Sequence, residues 1–279
     1  MTADMIALVL TAVISIVLPL VILGIVWKKN PMEQKGILIS FGLGVVIYFA
    51  MQWGVKEHGL QYLFNHSSLM IFMNVHYILY LFCVAFAGAV FALIPELLVL
   101  VLVFKKQMSF AKAFMLALGY AMAESIALVG YRSISTVFAC LTKNDVEINT
   151  STAELFLSCY ERILFIVILA AVMISLVYFV EQKMPVRGIL IALLCDTLLH
   201  FLPGFLIAFT TTSYIEVFER PVALALSYII LTAGAAAGIA VMNALKYSLK
   251  DERVDSKQAV MAFKRKQEEK KKRTKKNLE

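Results

Sequence analysis

The sequence predicts an all-α, polytopic membrane protein with seven transmembrane helices. Of its 279 residues, 61% are hydrophobic and only 16% are charged, whereas soluble proteins carry about 25% charged residues. The second observation is a series of apolar runs of about 20 residues, the length that crosses a bilayer core as a helix. Seven such runs fill residues 1–246 as one membrane domain, and a basic tail follows at 247–279.

The spans are separated by polar or charged segments. The first run, 5–27, is predicted to be a retained span, because no basic residue precedes it and no A-x-A cleavage site follows it. The others lie at 36–55, 69–104, 110–131, 156–180, 188–209 and 222–245. A helix over 69–104 would be about 54 Å long. This is too long for one straight crossing, so we expect a broken helix, either kinked at Pro95 or divided near Ala87–Ala89.

The distribution of basic residues predicts the orientation. Three loops, 28–35, 105–112 and 181–188, hold eight Lys and Arg residues, and the tail from Lys246 holds thirteen. The alternate loops hold four, namely Lys56, Arg132, Lys143 and Arg220. Since basic residues accumulate in cytoplasmic loops, the N-terminus is expected outside and the C-terminus in the cytoplasm. An eight-span arrangement would place the tail and the first loop on opposite faces, against these counts.

The basic tail contains FKRKQEEKKKRTKK. Such a cluster beside a span is typical of segments that bind anionic lipid headgroups, and a topology anchor with no further role is the alternative. We expect no nucleic-acid partner, because the tail lacks interleaved aromatic residues.

One carboxylate, Glu124, lies well inside the fourth span. A charge at the centre of a membrane helix costs about 2.5–3.5 kcal/mol, so Glu124 is expected to face a protein interior or a wet cavity. The segment around it is rich in small residues that predict close helix packing: Gly119, Ala121, Ala123, Ser125 and Gly130. Buried intramembrane carboxylates are functional by default. A protonated, hydrogen-bonded structural role is the alternative.

Two more spans carry polar pairs at a comparable predicted depth, in the outer half of the bilayer. Glu161 and Arg162 lie in the fifth span, and Asp196 and His200 lie in the sixth. A spacing of four residues puts Asp196 and His200 on one helix face. Together with one glutamate they are candidate metal ligands, with the other glutamate as the base that activates water. In the structural alternative, Arg162 neutralises a glutamate and Asp196 accepts a hydrogen bond from His200.

Four further residues receive structural interpretations. His76 is expected to pack between helices, and Glu96 to reach the membrane interface from its helix end. The four cysteines show no CxxC spacing, so neither a zinc finger nor a thioredoxin-type motif is predicted. Cys140 and Cys159 fall on the outer side, where an oxidising exterior permits a disulfide. Their pairing stays open.

The order of these blocks resembles the YhfC family of intramembrane metalloproteases, relatives of the PrsW and CAAX-processing proteases. The resemblance covers about 36–245 and rests on FAGAVFALIPELLVLVLVFKK, FAKAFMLALGYAMAESIALVG, YERILFIVIL and LIALLCDTLLHF. It implies a seven-span plan and a location as a multi-pass protein of a bacterial cytoplasmic membrane. It also implies Glu124, Glu161 and Arg162 as candidate catalytic residues, and Asp196 and His200 as candidate metal ligands.

The chain departs from this family at its catalytic positions. Phe91 and Ala92 stand where the family's AGxxEExxR block has paired glutamates, and Pro95 stands in place of the arginine. Tyr120 replaces the histidine of the GHGxxE block. Asp196 and His200 reverse the HxxxD order of the last block, and no histidine follows Glu161 and Arg162 in their helix.

Three functions follow as alternatives. The first is a non-catalytic pseudo-protease that binds membrane-embedded segments, such as single-span proteins or peptides. The second is an active intramembrane metalloprotease that uses the rearranged residues, and only this function implies zinc. The third is a component of a small-solute transporter, because buried charges also mark solute pathways.

Overall fold

The computed structural model describes residues 3–56, 58–59, 67–104, 108–142, 152–211, 220–246 and 248–249, with the backbone alone at 53, 67, 209–211 and 220. All regular secondary structure in these ranges is helical. The helices are α1 (Ala3–Lys29), α2 (Gln34–Ile47), α3 (Ser67–Val75), α4 (Tyr77–Leu98), α5 (Phe110–Ser125), α6 (Tyr131–Thr142), α7 (Thr152–Glu181), α8 (Pro185–Thr211) and α9 (Arg220–Leu245). Wider π-helical segments extend α2 (Tyr48–Lys56) and α4 (Val99–Val103), and a third joins α5 to α6 (Ile126–Gly130).

Seven of these helical stretches are long and apolar enough to cross a membrane. They are Ala3–Lys29, Gln34–Lys56, Tyr77–Val103, Phe110–Thr142, Thr152–Glu181, Pro185–Ala208 and Pro221–Leu245. The predicted all-α class and the number of spans are therefore confirmed. Large apolar side chains remain exposed on the outward faces, among them Val46, Leu102 and Ile229. Such a surface is suited to contact with lipid and indicates a multi-pass membrane protein. The basic tail at 250–279 lies outside the described residues.

The centre of the bundle is formed by α5 and α7. Twelve of the 16 residues of α5 are buried, as the small and apolar composition of this segment predicts. The tightest packing of α5 is against α2, and it also contacts α1 and α7. On the other side of α7 lie α8 and α9, and α4 packs against α8. Glu124 thus occupies the middle of the molecule.

Two glycines bring α2 and α5 into near backbone contact. A Cβ atom on Gly44 would stand 2.1 Å from the carbonyl oxygen of Leu116, and one on Gly119 would stand 2.1 Å from the carbonyl oxygen of Phe41. Neither position has space for a side chain unless the helices move apart. The prediction that small residues permit close approach is confirmed at Gly119.

Polar contacts define two ends of the bundle. At the end that we call the Asp4 end, the side chains of Asp4 and Thr152 are hydrogen-bonded, so the N-termini of α1 and α7 meet. At the opposite end, which we call the Glu33 end, Ser109 Oγ donates to Glu33 Oε2 at 2.5 Å. The backbone N–H of Met108 donates to Glu181 Oε1 at 3.2 Å. Because α2 begins at the Glu33 end, Lys56 lies towards the Asp4 end.

The boundaries differ from the sequence prediction in two places. The third span is broken at His76, where φ −124° and ψ 49° interrupt the helix, and neither at Pro95 nor at Ala87–Ala89. Pro95 is accommodated inside α4. The fourth span continues as helix to Thr142 and the fifth begins at Thr152, so the segment between the spans predicted at 110–131 and 156–180 is partly helical. The amphipathic pattern of Tyr131–Thr142 supports this extra helix.

Candidate functional site

Glu124 of α5 meets His200 of α8 inside the bundle. The distance from Glu124 Oε1 to His200 Nε2 is 3.1 Å, and Glu124 is buried. The convergence of the fourth and sixth spans at one depth, expected from the sequence, is present. His200 therefore gives the Glu124 carboxylate, which is unfavourable in contact with lipid, a charged or hydrogen-bonding partner.

Asp196 holds the other side of the same imidazole. His200 Nδ1 lies 2.9 Å from the carbonyl oxygen of Asp196 and 3.4 Å from its carboxylate Oδ1. A carbonyl oxygen only accepts, so Nδ1 carries a proton and donates it. The contact between Nε2 and Glu124 then contains one proton, either on the carboxyl group or on the ring. Glu124 and Asp196 therefore fix both nitrogens of His200.

This arrangement does not fit the proposed zinc site. A catalytic zinc needs three protein ligands, whereas Glu124 and Asp196 contact opposite nitrogens of one ring. The described residues contain no group of three His, Cys, Asp or Glu side chains arranged to hold a metal. We therefore derive no step through zinc.

Glu161 and Arg162 form an ion pair on α7. Arg162 Nη2 donates to Glu161 Oε1 at 2.7 Å, and the Tyr228 hydroxyl lies 3.4 Å from Glu161 Oε2. The Arg162 guanidinium lies over the Phe165 ring, 4.7 Å from its centroid, a cation–π distance. The same Phe165 ring makes an edge contact with His200, with centroids 5.6 Å apart. The structural alternative paired Arg162 with a glutamate. The glutamate that Arg162 bonds is Glu161, and Arg162 attracts Glu124 only at longer range.

A polar chamber of about 390 Å³ opens beside the Glu124–His200 pair. Its walls come from α2, α4, α5 and α8. The polar side chains lining it are Tyr48, Gln52, Lys56, Tyr120, Glu124 and His200, beside an apolar wall that includes Leu81, Val84 and Leu128. Gln52 Nε2 donates to the carbonyl oxygen of Gly88 at 2.8 Å, which ties α2 to α4. The site thus combines buried polar groups with a cavity large enough for a ligand.

Glu96 faces the interior, and its predicted position at the membrane interface is wrong. It lines a small void of about 20 Å³ together with Asp196 and Tyr120. A void of this size holds about one water molecule. Glu96 points inward because of its position around the helix. Gly88, Ala92 and Glu96 are spaced four residues apart and share the face of α4 that packs inward.

His76 is also placed differently from its prediction. Its side chain is exposed at the junction of α3 and α4 and contacts only the ring of Phe72 among the described aromatic side chains. It does not pack between helices. Cys140 and Cys159 are both free, and Cys159 Sγ lies 2.8 Å from the hydroxyl oxygen of Thr11.

A second cavity, of about 330 Å³, lies between α7, α8 and α9. Its lining is almost entirely apolar and includes Ile168, Leu199, Leu231 and Gly234. It contains no carboxylate, imidazole or basic group. Of these two cavities, the polar chamber is the one lined by charged side chains.

Sequence reasoning did not assign Gln52 or Lys56 to the site, whereas the resemblance had already placed Tyr120 at the position of a catalytic histidine. In the sequence analysis Lys56 enters only the count of basic residues in the loops. The available signal was spacing, because Tyr48, Gln52 and Lys56 stand four residues apart and all line the chamber.

No protein-family model matches this chain, and no curated protein or solved structure matches it.

Proposed function

We propose that this chain is a degenerate relative of the YhfC intramembrane proteases that binds a segment of another membrane protein in the polar chamber without cleaving it. The observation that carries the proposal is the 3.1 Å contact between Glu124 and His200 on the wall of a 390 Å³ chamber. A pocket with few convergent polar groups inside an otherwise apolar bundle is the default site for a ligand.

The positions that depart from the family's pattern support the same proposal. Ala92 and Tyr120, which occupy places of a family glutamate and the family histidine, line one void with Asp196. The positions of the missing groups therefore lie beside Asp196, one of the two residues whose order is reversed. Peptide hydrolysis needs a base that activates water and a group that stabilises the oxyanion. Alanine supplies neither, so the scaffold is retained and the chemistry is reduced.

The proposed setting is a bacterial cytoplasmic membrane, with the N-terminus outside and the tail in the cytoplasm. Its support is the excess of Lys and Arg in the loops at the Glu33 end and in the tail. The chamber then opens in the outer half of the bilayer, and the tail lies where it meets anionic lipid headgroups.

One observation favours residual hydrolysis as a second candidate. His200 is oriented by Asp196 and contacts Glu124, so a carboxylate and an imidazole share one proton beside a cavity. Such a pair is suited to removing a proton from water. This mechanism uses Glu124 as the base and requires no metal ligand set.

The test uses the full chain in proteoliposomes with a synthetic single-span peptide of about 20 leucine and alanine residues. Leu81, in the chamber wall, is replaced by photoreactive p-benzoylphenylalanine. The matched control places the same group at Leu79, exposed on the same helix. We expect intact peptide crosslinked from position 81 well above position 79, and no cleavage product by mass spectrometry.

Two other outcomes decide against the proposal. A cleaved peptide whose formation is lost in Glu124→Gln would establish the second candidate. Equal crosslinking from positions 79 and 81 would show that the chamber binds no membrane segment.

A further inference from the structure

Lys56 is placed in the chamber by the last residues of α2. The π-helical segment Tyr48–Lys56 ends at this residue, and the Lys56 side chain lines the same chamber as Glu124. A Cβ atom on Gly88 would stand 3.0 Å from Lys56 Nζ. Glycine at position 88 therefore leaves the space that the ammonium group occupies against α4.

The charge of Lys56 has no close counterion among the described residues. Glu124, the carboxylate that lines the same chamber, is engaged by His200. No described carboxylate lies within 4.0 Å of Lys56 Nζ, and the attraction between Lys56 and Glu124 is of longer range. A half-buried ammonium group beside an apolar wall gains free energy when an anion pairs with it.

The chamber size limits what enters it. A volume of about 390 Å³ lies at the small end of the range of ligand pockets, about 300–1,000 Å³. This is room for one or two residues of an extended chain. A whole helix, about 10 Å across, does not enter the chamber. A helical membrane segment therefore lies along its opening and places one or two residues inside. Leu81, Val84 and Leu128 offer apolar contact to the remainder of such a group.

We propose that the membrane segment held in the chamber presents a carboxylate to Lys56. This inference rests on the proposed function and adds the chemical class of the recognised group. Lys56 supplies the positive charge, Gly88 the space beside it, and the apolar wall the contact with neighbouring atoms of the segment. The carboxylate belongs either to an Asp or Glu side chain or to a free C-terminus.

The experiment compares charged and neutral peptides in the same photocrosslinking assay from position 81. One peptide carries a single glutamate about one turn inside its outer end, and its partner carries glutamine there. A second pair ends at that depth with a free carboxylate or with an amide. We expect about fivefold more crosslinking for a carboxylate peptide than for its neutral partner, the ratio that corresponds to about 1 kcal/mol.

Variants of Lys56 test the origin of this preference. Lys56→Gln should remove it, and Lys56→Glu should transfer it to a peptide with lysine at the same position. The matched control is Lys28→Gln, an exposed lysine at the end of α1, which should keep the preference. The lysine-peptide result is a gain of binding, so a merely misfolded variant cannot produce it.

The outcomes separate the two proposals. Equal crosslinking of charged and neutral peptides by the unmodified chain, above the position 79 background, overturns the carboxylate inference and leaves segment binding intact. Absence of crosslinking for every peptide overturns the proposed function itself. A charge preference that persists in Lys56→Gln also overturns the role given to Lys56. The pair of peptides that shows the preference identifies the side chain or the C-terminus as its source.

Discussion

At the level of single residues, His200 links two acidic groups from different helices. Glu124 is 76 positions away along the chain, yet its carboxylate lies 3.1 Å from His200 Nε2. The other ring nitrogen, Nδ1, donates to the backbone carbonyl oxygen of Asp196. A buried polar group is stable only when such partners are present. The loss of His200 would leave Glu124 without its closest partner among the described residues.

The first prediction concerns the coupling between Glu124 and His200. In a double-mutant cycle of Glu124→Gln and His200→Ala, the free energies of unfolding should be non-additive by about 1–3 kcal/mol. The measurement is denaturant unfolding in detergent micelles. The control is His76→Ala, which changes an exposed histidine and should shift stability by less than about 0.5 kcal/mol. Strictly additive effects would contradict the contact.

At the level of elements, the rotation of each helix about its own axis decides which side chains meet. The face of α4 that carries Gly88, Ala92 and Glu96 is turned towards α8, and this turns Glu96 away from the lipid. In α2, the wider π-helical turns direct Gln52 and Lys56 into the chamber. Such segments are rare in helices and occur frequently at functional sites.

The second prediction concerns the crossing of α2 and α5. Gly119→Ala places a Cβ atom 2.1 Å from the Phe41 carbonyl oxygen, so the helices must separate. The free energy of unfolding should fall by about 1–3 kcal/mol. Gly42→Ala is the matched control, because a Cβ atom there meets nothing within 4 Å. It should be neutral or stabilising by up to about 1 kcal/mol, since alanine is the better helix former. Equal destabilisation by both changes would refute the close approach.

At the level of the whole molecule, the seven helices make one bundle with unequal ends. The Glu33 end carries most of the basic loop residues, and the chamber lies towards the Asp4 end. This asymmetry gives the bundle a predicted direction in the membrane. In the proposed orientation, the proposed membrane segment would approach Lys56 from the outer leaflet.

The third prediction concerns this orientation. A background in which all four cysteines are replaced by alanine receives a single cysteine, either as Asn30→Cys or as Asn144→Cys. A membrane-impermeant maleimide added to intact cells should label position 144 and should label position 30 only after permeabilisation. The reverse pattern would invert the proposed topology and place the chamber in the inner leaflet.

The sequence by itself determined the class, the number of spans and the inward position of Glu124. These follow from local quantities, namely the length of apolar runs and the cost of a charge in lipid. It also put Asp196 and His200 on one face, because the helical period is fixed. The sequence did not predict the break at His76, because Pro95 and the Ala87–Ala89 segment are stronger local indications of a helix break.

Only the tertiary structure decided which partners these groups have. The pairing of Glu124 with His200, the inward position of Glu96 and the placement of Lys56 beside Gly88 depend on helix rotation. That rotation is set by packing between segments far apart in the chain, such as the Gly44–Gly119 crossing. An apolar run has nearly the same hydropathy on every face, so its local pattern does not specify which side turns inward.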